Sequence, residues 1–179
     1  PISRVEEREG FGYSSIYRGV SGLEPQISYE FFDNRVGYIS VTDFSNHEPL
    51  LIETWESFLR TANQIGTPAV IVDLRYNGGG FSAIGTRMAS YFFTEVQPLR
   101  YVEEYNKEID AFFHDDRFPA ELTLPLDESL HYGGQIIVLV GQACASACEL
   151  FAYDLALNEN ATVIGQYASQ GIAGGWPLL

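Results

Sequence analysis

Basic residues are scarce in this chain. Lysine occurs once, at Lys107, and lysine and arginine together number 10 against 24 aspartates and glutamates, for a formal charge of −14 over 179 residues. An acidic surface repels phosphate backbones and anionic lipid headgroups, so nucleic acid and membrane surfaces are not expected partners. Cysteine is rare too. Cys144 and Cys148 are too few for a disulfide framework, lack the further ligands of a zinc site, and do not report the redox compartment. No metal or other cofactor is implied. Long apolar runs are also missing: nothing approaches the roughly 20 consecutive apolar residues of a membrane-spanning helix. Arg4, Glu6, Glu7 and Arg8 break up the opening, which does not read as a signal peptide. The chain starts at Pro1 rather than Met and stops at Trp176-Pro177-Leu178-Leu179, so both ends are expected to be cuts in a longer polypeptide. What is present is 46% hydrophobic and 19% charged, the composition of one well-cored globular domain with room for a small appendage.

Two short alternating runs, Ile2–Glu7 and Tyr13–Arg18, are punctuated by Gly10, Gly12 and Gly19 and read as a β-rich segment over residues 1–24. Residues 25–179 then form the main domain. Gln26–Phe32 and Val36–Val41 are strand-like around an Asp33-Asn34-Arg35 turn, which suggests a hairpin. Ser45 and Glu48 have capping-box spacing, and Pro49 suits a first helical turn. Leu51, Trp55, Phe58, Ala62 and Ile65 follow in one apolar stripe that Gly66 ends. The β-branched run Ala69–Leu74 reads as a strand buried on both faces. A glycine-rich turn leads into a helix expected to bury Phe81, Ile84, Met88 and Phe92. Leu99–Phe113 is strand-like, and Asp115–Gly134 is a long polar connection. Gln135–Val140 is a second buried strand, Ser146–Asn158 a helix and Ala161–Gly165 a strand. This alternation predicts an α/β fold with a largely parallel sheet.

Ligands of such sheets sit beyond the carboxyl ends of the strands, and two motifs fall there. One is Asn77-Gly78-Gly79-Gly80, after the Ala69–Leu74 strand. Consecutive glycines let backbone adopt positive φ and approach a ligand closely, so the loop is either a tight turn or an anion cradle. It lacks the Lys-Ser/Thr of a phosphate-binding P-loop and the spacing of a dinucleotide site. The other is Ser146, at a strand-to-helix turn between the small Ala145 and Ala147. Such a serine is either a helix N-cap or a nucleophile beside the unbonded N–H groups of the first helical turn. Spacing alone leaves both readings open.

Together these segments carry a family resemblance. Val70-Ile71-Val72-Asp73-Leu74-Arg75-Tyr76-Asn77-Gly78-Gly79-Gly80 resembles the "DLRxNGGG" segment of tail-specific (carboxy-terminal processing) serine proteases. Ala143-Cys144-Ala145-Ser146-Ala147-Cys148-Glu149-Leu150 resembles their "ASASE" nucleophile segment, Ala161-Thr162-Val163-Ile164-Gly165 their following "ATVIGE" strand, and Val36–Phe44 the strand that opens their core. The resemblance implies a crotonase-like α/β core, with residues 1–24 as the end of a PDZ-like module, and a polypeptide substrate. It also implies an extracytoplasmic location. Ser146 is then the nucleophile, and the N–H groups of Ala147 and of Gly80 or Gly79 hold the oxyanion. Glu149 matches the Glu of the family segment; its other reading is a first-turn carboxylate facing the helix dipole.

The pattern breaks at the general base. Many family members have "GEKTFGKG" with a catalytic Lys, whereas this chain reads Gly165-Gln166-Tyr167-Ala168-Ser169-Gln170-Gly171, with Gln170 nearest that position. An amide is not a base at neutral pH. Tricorn-like relatives use a His from an N-terminal region and a downstream Glu. His47, His114 and His131 are the local histidines, and none stands out as the base. Cys144 and Cys148 read as small packed hydrophobes rather than reactive thiols. The aromatics of Tyr101–Phe118 either line a groove for apolar peptide side chains or pack ordinarily. A serine endopeptidase is the leading expectation. A non-catalytic peptide or apolar-ligand binder of the same fold is the alternative, and an acyl-CoA enzyme is disfavoured by the lack of a basic patch.

Overall fold

A computed structural model of the chain describes residues 26–44, 48–99, 103–114 and 121–171. The 1–24 segment, Ser45 and His47 lie outside the described residues. Strand β1 (Ile27–Phe31) and strand β2 (Gly37–Val41) form the expected antiparallel hairpin. Its turn closes through Arg35 N–H to Phe32 O at 2.8 Å, with Arg35 at φ 63. Helix α1 (Glu48–Ile65) follows and buries the predicted stripe: Leu51, Trp55, Phe58 and Ala62 are all buried. Gly66 ends it at φ 65, where Thr67 N–H reaches back to Ala62 O at 2.9 Å; this left-handed stop favours a residue without Cβ.

Strand β3 (Ala69–Asp73), helix α2 (Ser82–Ser90), strand β6 (Gln135–Val140), helix α3 (Ala147–Ala156) and strand β7 (Ala161–Gly165) complete the layer, after a separate hairpin of β4 (Glu103–Asn106) and β5 (Ala111–His114). The main sheet runs β1-β2-β3-β6-β7, antiparallel only at β1. The register places Ile39, Val72 and Val138 side by side, and all three are fully buried. The fold is mixed α/β with a mostly parallel sheet, as expected.

Three expectations need correction. First, β3 is not buried on both faces: Val70 and Val72 are buried while Ala69 and Ile71 between them are half-exposed, an alternation shared by β6. The apolar residues of one sheet face meet the aromatic core of Phe44, Trp55, Phe92 and Phe151. The other face of these strands has no helix against it among the described residues. Second, Phe81 is 64% exposed rather than on the buried side of α2, because it stands before the first helical residue. Third, Leu99–Phe113 is not one strand but holds the β4–β5 hairpin, which among the described residues pairs only with itself and leaves Phe112 and Ile109 exposed. No described helix is long and apolar enough to cross a membrane.

Candidate active site

The site is assembled from the turns after β3 and β6, which are neighbours in the sheet. The turn after β3 begins with an ion pair. Asp73, at the strand end, accepts from the Arg75 backbone N–H at 3.0 Å, from Arg75 Nη2 at 2.7 Å and from the Tyr38 hydroxyl at 2.6 Å. Burial opposes the charged form of Asp73, but the bonds from Arg75 and Tyr38 outweigh it and hold the carboxyl below its ordinary range. The Asp-Leu-Arg part of the motif is therefore a structural clasp that stops the strand and aims the loop.

Asn77 is the hub of that loop and is fully buried. Its Nδ2 donates to Val41 O at 3.1 Å, its Oδ1 accepts from Gly79 N–H at 2.8 Å, and its carbonyl accepts from Ala145 N–H at 3.2 Å. One residue thus ties the end of β2 and the glycine triplet through its side chain, and the turn before α3 through its carbonyl. Phe44 secures the far side: its N–H donates to Gly79 O at 2.8 Å, its carbonyl accepts from Phe81 N–H at 3.2 Å, and its ring meets Phe151 of α3 edge-on. Gly79 and Gly80 have φ of 103 and 126, values that a side-chain-bearing residue rarely adopts. A Cβ on Gly79 would lie 2.7 Å from Ala145 O, 3.0 Å from Ser146 Cβ and 3.1 Å from Ala147 N. The triplet and the serine turn are therefore in direct contact.

Ser146 immediately precedes α3 with φ 54 and ψ −119, and its hydroxyl makes no capping bond to the helix. The N-cap reading predicts an extended backbone and a hydroxyl bonded to the first turn; neither is present. Ser146 is half-buried. Two backbone donors near it, Ala147 N–H and Gly80 N–H, make no hydrogen bond among the described residues, whereas Gly79 N–H is taken by Asn77. Gly79 thus brings the triplet against Ser146 and Ala147, and the N–H groups of Ala147 and of Gly80, the next residue of the triplet, have no partner among the described residues.

The segment after β7 docks on the same turn. Gln170 N–H donates to Cys144 O at 3.0 Å, and Gly171 O accepts from Ser146 N–H at 3.2 Å. Glu149 Oε1 accepts from Gly171 N–H at 2.8 Å, so its carboxylate fastens this segment rather than only facing the helix dipole. Cys144 and Cys148 are buried as expected of packed hydrophobes, but they are also joined in a disulfide with Cα atoms 5.4 Å apart. Spacing at i and i+4 across a strand-to-helix turn does not reveal that proximity, because it depends on the backbone of Ser146 between them.

Of the histidines, His131 is not brought to this place. His131 lines a cleft of about 450 Å³ with Asn158 and Asn160, at the amino ends of β6 and β7 and thus at the opposite end of the sheet. His114 ends β5 in the separate hairpin, and His47 lies outside the described residues. A second cavity of about 500 Å³, lined in part by Glu56, Arg87, Tyr91 and Leu124, contains neither Ser146 nor Gly80. Sequence reading missed Phe44 and the hub role of Asn77. A signal for the latter was available, since Asn before glycine often bonds its own backbone two residues on.

Residues 35–177 match the family model of peptidase family S41. Among solved structures, a protein of Parabacteroides merdae described as a candidate peptidase superposes with TM-score 0.62 at 23% identity, covering 86% of this chain and 44% of that one. Mature CPAF complexed with lactacystin gives TM-score 0.61 at 13% identity, with 83% and 42% covered. The photosystem II D1 C-terminal processing protease gives 0.57 at 15%, with 78% and 36% covered. At these identities the likeness establishes the fold alone, a mixed α/β core shared with these structures, and the chain spans less than half the length of each of them.

Proposed function

The chain belongs to peptidase family S41, and from that premise we propose that it carries the nucleophile and oxyanion hole of a serine endopeptidase of the tail-specific type, with Ser146 as nucleophile. The observation that carries the reading is the uncapped, positive-φ Ser146 beside two N–H groups, those of Ala147 and Gly80, that have no hydrogen-bond partner among the described residues. Ser146 Oγ attacks the carbonyl carbon of a bound polypeptide. Charge developing on the carbonyl oxygen is to be met by the Ala147 and Gly80 amides, acting as an oxyanion hole. Each such donor typically contributes about 3 kcal/mol to barrier lowering. Gly79 makes the hole possible by letting the two turns touch, and Asn77 and Glu149 hold its walls.

The proton acceptor is not supplied by the position nearest the family Lys. Gln170 stands there, fixed through its backbone to Cys144, and a carboxamide takes no proton at neutral pH. A base must therefore come from residues beyond this constellation. The same substitution favours a second reading, a peptide-binding member of the family without turnover. The disulfide fits an oxidising compartment and supports an extracytoplasmic location.

Incubation with unstructured peptides, with products followed by mass spectrometry, separates the two readings. Peptidase activity predicts cleavage that Ser146→Ala reduces by several orders of magnitude, about 10⁶-fold in a well-studied serine protease. Saturable peptide binding that Ser146→Ala leaves intact, with no product, would establish the binding reading instead.

A further inference from the structure

The disulfide between Cys144 and Cys148 spans Ser146, with one sulfur two residues before the serine and the other in the first turn of α3. Ser146 lies at φ 54, ψ −119, a backbone region that costs free energy for any residue with a side chain and persists only where its surroundings enforce it. A relaxed alternative is close at hand. Serine is a preferred N-cap, and an extended Ser146 would turn its hydroxyl back toward the N–H groups of Cys148 and Glu149, which now bond within the turn to Ala145 O and Ser146 O at 3.0 Å. That rearrangement would remove the nucleophile. The backbone bonds that hold the turn to its neighbours run at 3.2 Å from Ser146 N–H to Gly171 O, 3.2 Å from Ala145 N–H to Asn77 O and 3.0 Å from Gln170 N–H to Cys144 O, the first two at the upper end of the ordinary range. The disulfide, fully buried at both cysteines, fixes the two ends of the turn from the core side. Its loop is too short to contribute most of a disulfide's usual effect on the unfolded chain, so its main consequence is local.

Resting on the serine-nucleophile reading, we infer that Cys144 and Cys148 are positioning residues whose disulfide holds Ser146 in its strained conformation and keeps the hydroxyl from collapsing into a helix cap. Reduction by a dithiol transfers two electrons and two protons to the sulfurs, leaving two thiols and the oxidised cyclic reagent; no other bond breaks. The turn is then free to relax.

The test compares the chain with its Cys144→Ala/Cys148→Ala double variant by three measurements: amide hydrogen exchange over residues 141–151, the kinetics of labelling by a fluorophosphonate, and the thermal midpoint. In the variant, exchange at Ser146 and Ala147 is expected to accelerate about tenfold and the maximal labelling rate to fall about tenfold, equivalent to roughly 1.4 kcal/mol. The half-saturating probe concentration should stay unchanged. Dithiol-treated protein should behave like the variant, and reoxidation should restore it. A lowered midpoint with unaltered exchange and labelling would overturn the inference, leaving the cysteines as packing. Free thiols at both positions in protein purified without reductant would overturn it too. If the oxidised protein takes no label yet the variant still exchanges faster, the positioning role stands and the nucleophile reading falls.

Discussion

The turns after β3 and β6 solve the same geometric problem by different means. Both must leave a buried parallel strand, take up positive φ and enter a helix within a few residues. The first uses glycine: Gly79 and Gly80 reach φ 103 and 126 without a Cβ to clash. The second cannot, because the residue at its apex must keep a hydroxyl. Ser146 therefore holds φ 54 as a strained residue, and its surroundings brace it: Asn77 and Gly79 from one side, Gly171 and Glu149 from another, and a disulfide from the core. A turn that only needs shape can be made of permissive residues, whereas a turn that presents a reactive group has to be clamped.

Substitutions can break or sharpen that contrast. The largest effect is expected at Gly79. An alanine there is strained by its φ and places its Cβ 2.7 Å from Ala145 O, so Gly79→Ala should lose about 4 kcal/mol of stability by denaturant titration together with labelling at Ser146. Asn77→Ala comes next. It leaves the Gly79 N–H and Val41 O without their partner in a buried place, an expected loss of about 3 kcal/mol.

Asp73→Asn should lose about 2 kcal/mol at neutral pH by removing the charge-assisted bonds of Arg75 and Tyr38. The sign with pH follows from the lowered carboxyl. Its stabilisation is fully present above the ordinary value of 3.8 and disappears as pH falls through the depressed folded-state value, so wild type and variant should converge in acid. Thermal midpoints measured across that range check it, and a gap that persists in acid would contradict it. The smallest effect is expected at Gly66, which also has positive φ, 65, but whose nearest neighbour to an added Cβ is Arg35 Nη1 at 3.8 Å. Gly66→Ala should lose about 1 kcal/mol and leave Ser146 reactivity unchanged. Equal effects at Gly66 and Gly79 would dissolve the distinction between a free turn and a braced one.

Much of this was legible in the residues. Periodicity located α1, β3, β6 and β7, because each has a run of apolar or β-branched residues bounded by Gly or a polar turn. It misjudged β3 as buried on both faces, since a continuous Val-Ile-Val run does not say whether a second layer covers it. Phe81 misled for a related reason: helical spacing continued one residue past the point where the helix begins. The sequence places two motifs at the carboxyl ends of strands, and the turns that carry them are in contact. What spacing could not give was the division of labour within the triplet. That Gly79 N–H is consumed by Asn77 while Gly80 N–H stays free depends on one side-chain rotamer. The disulfide was hidden likewise, because the turn that brings Cys144 to Cys148 contains a non-glycine residue at positive φ, which pattern reasoning treats as an exception.

The most direct test of Ser146 as nucleophile is a crystal structure of the protein after reaction with a fluorophosphonate. The account predicts a phosphonyl group bonded to Ser146 Oγ, with one phosphonyl oxygen about 2.7–3.1 Å from both the Ala147 and Gly80 nitrogens. Modification at another residue, or an adduct whose oxygen points away from those two amides, would contradict it.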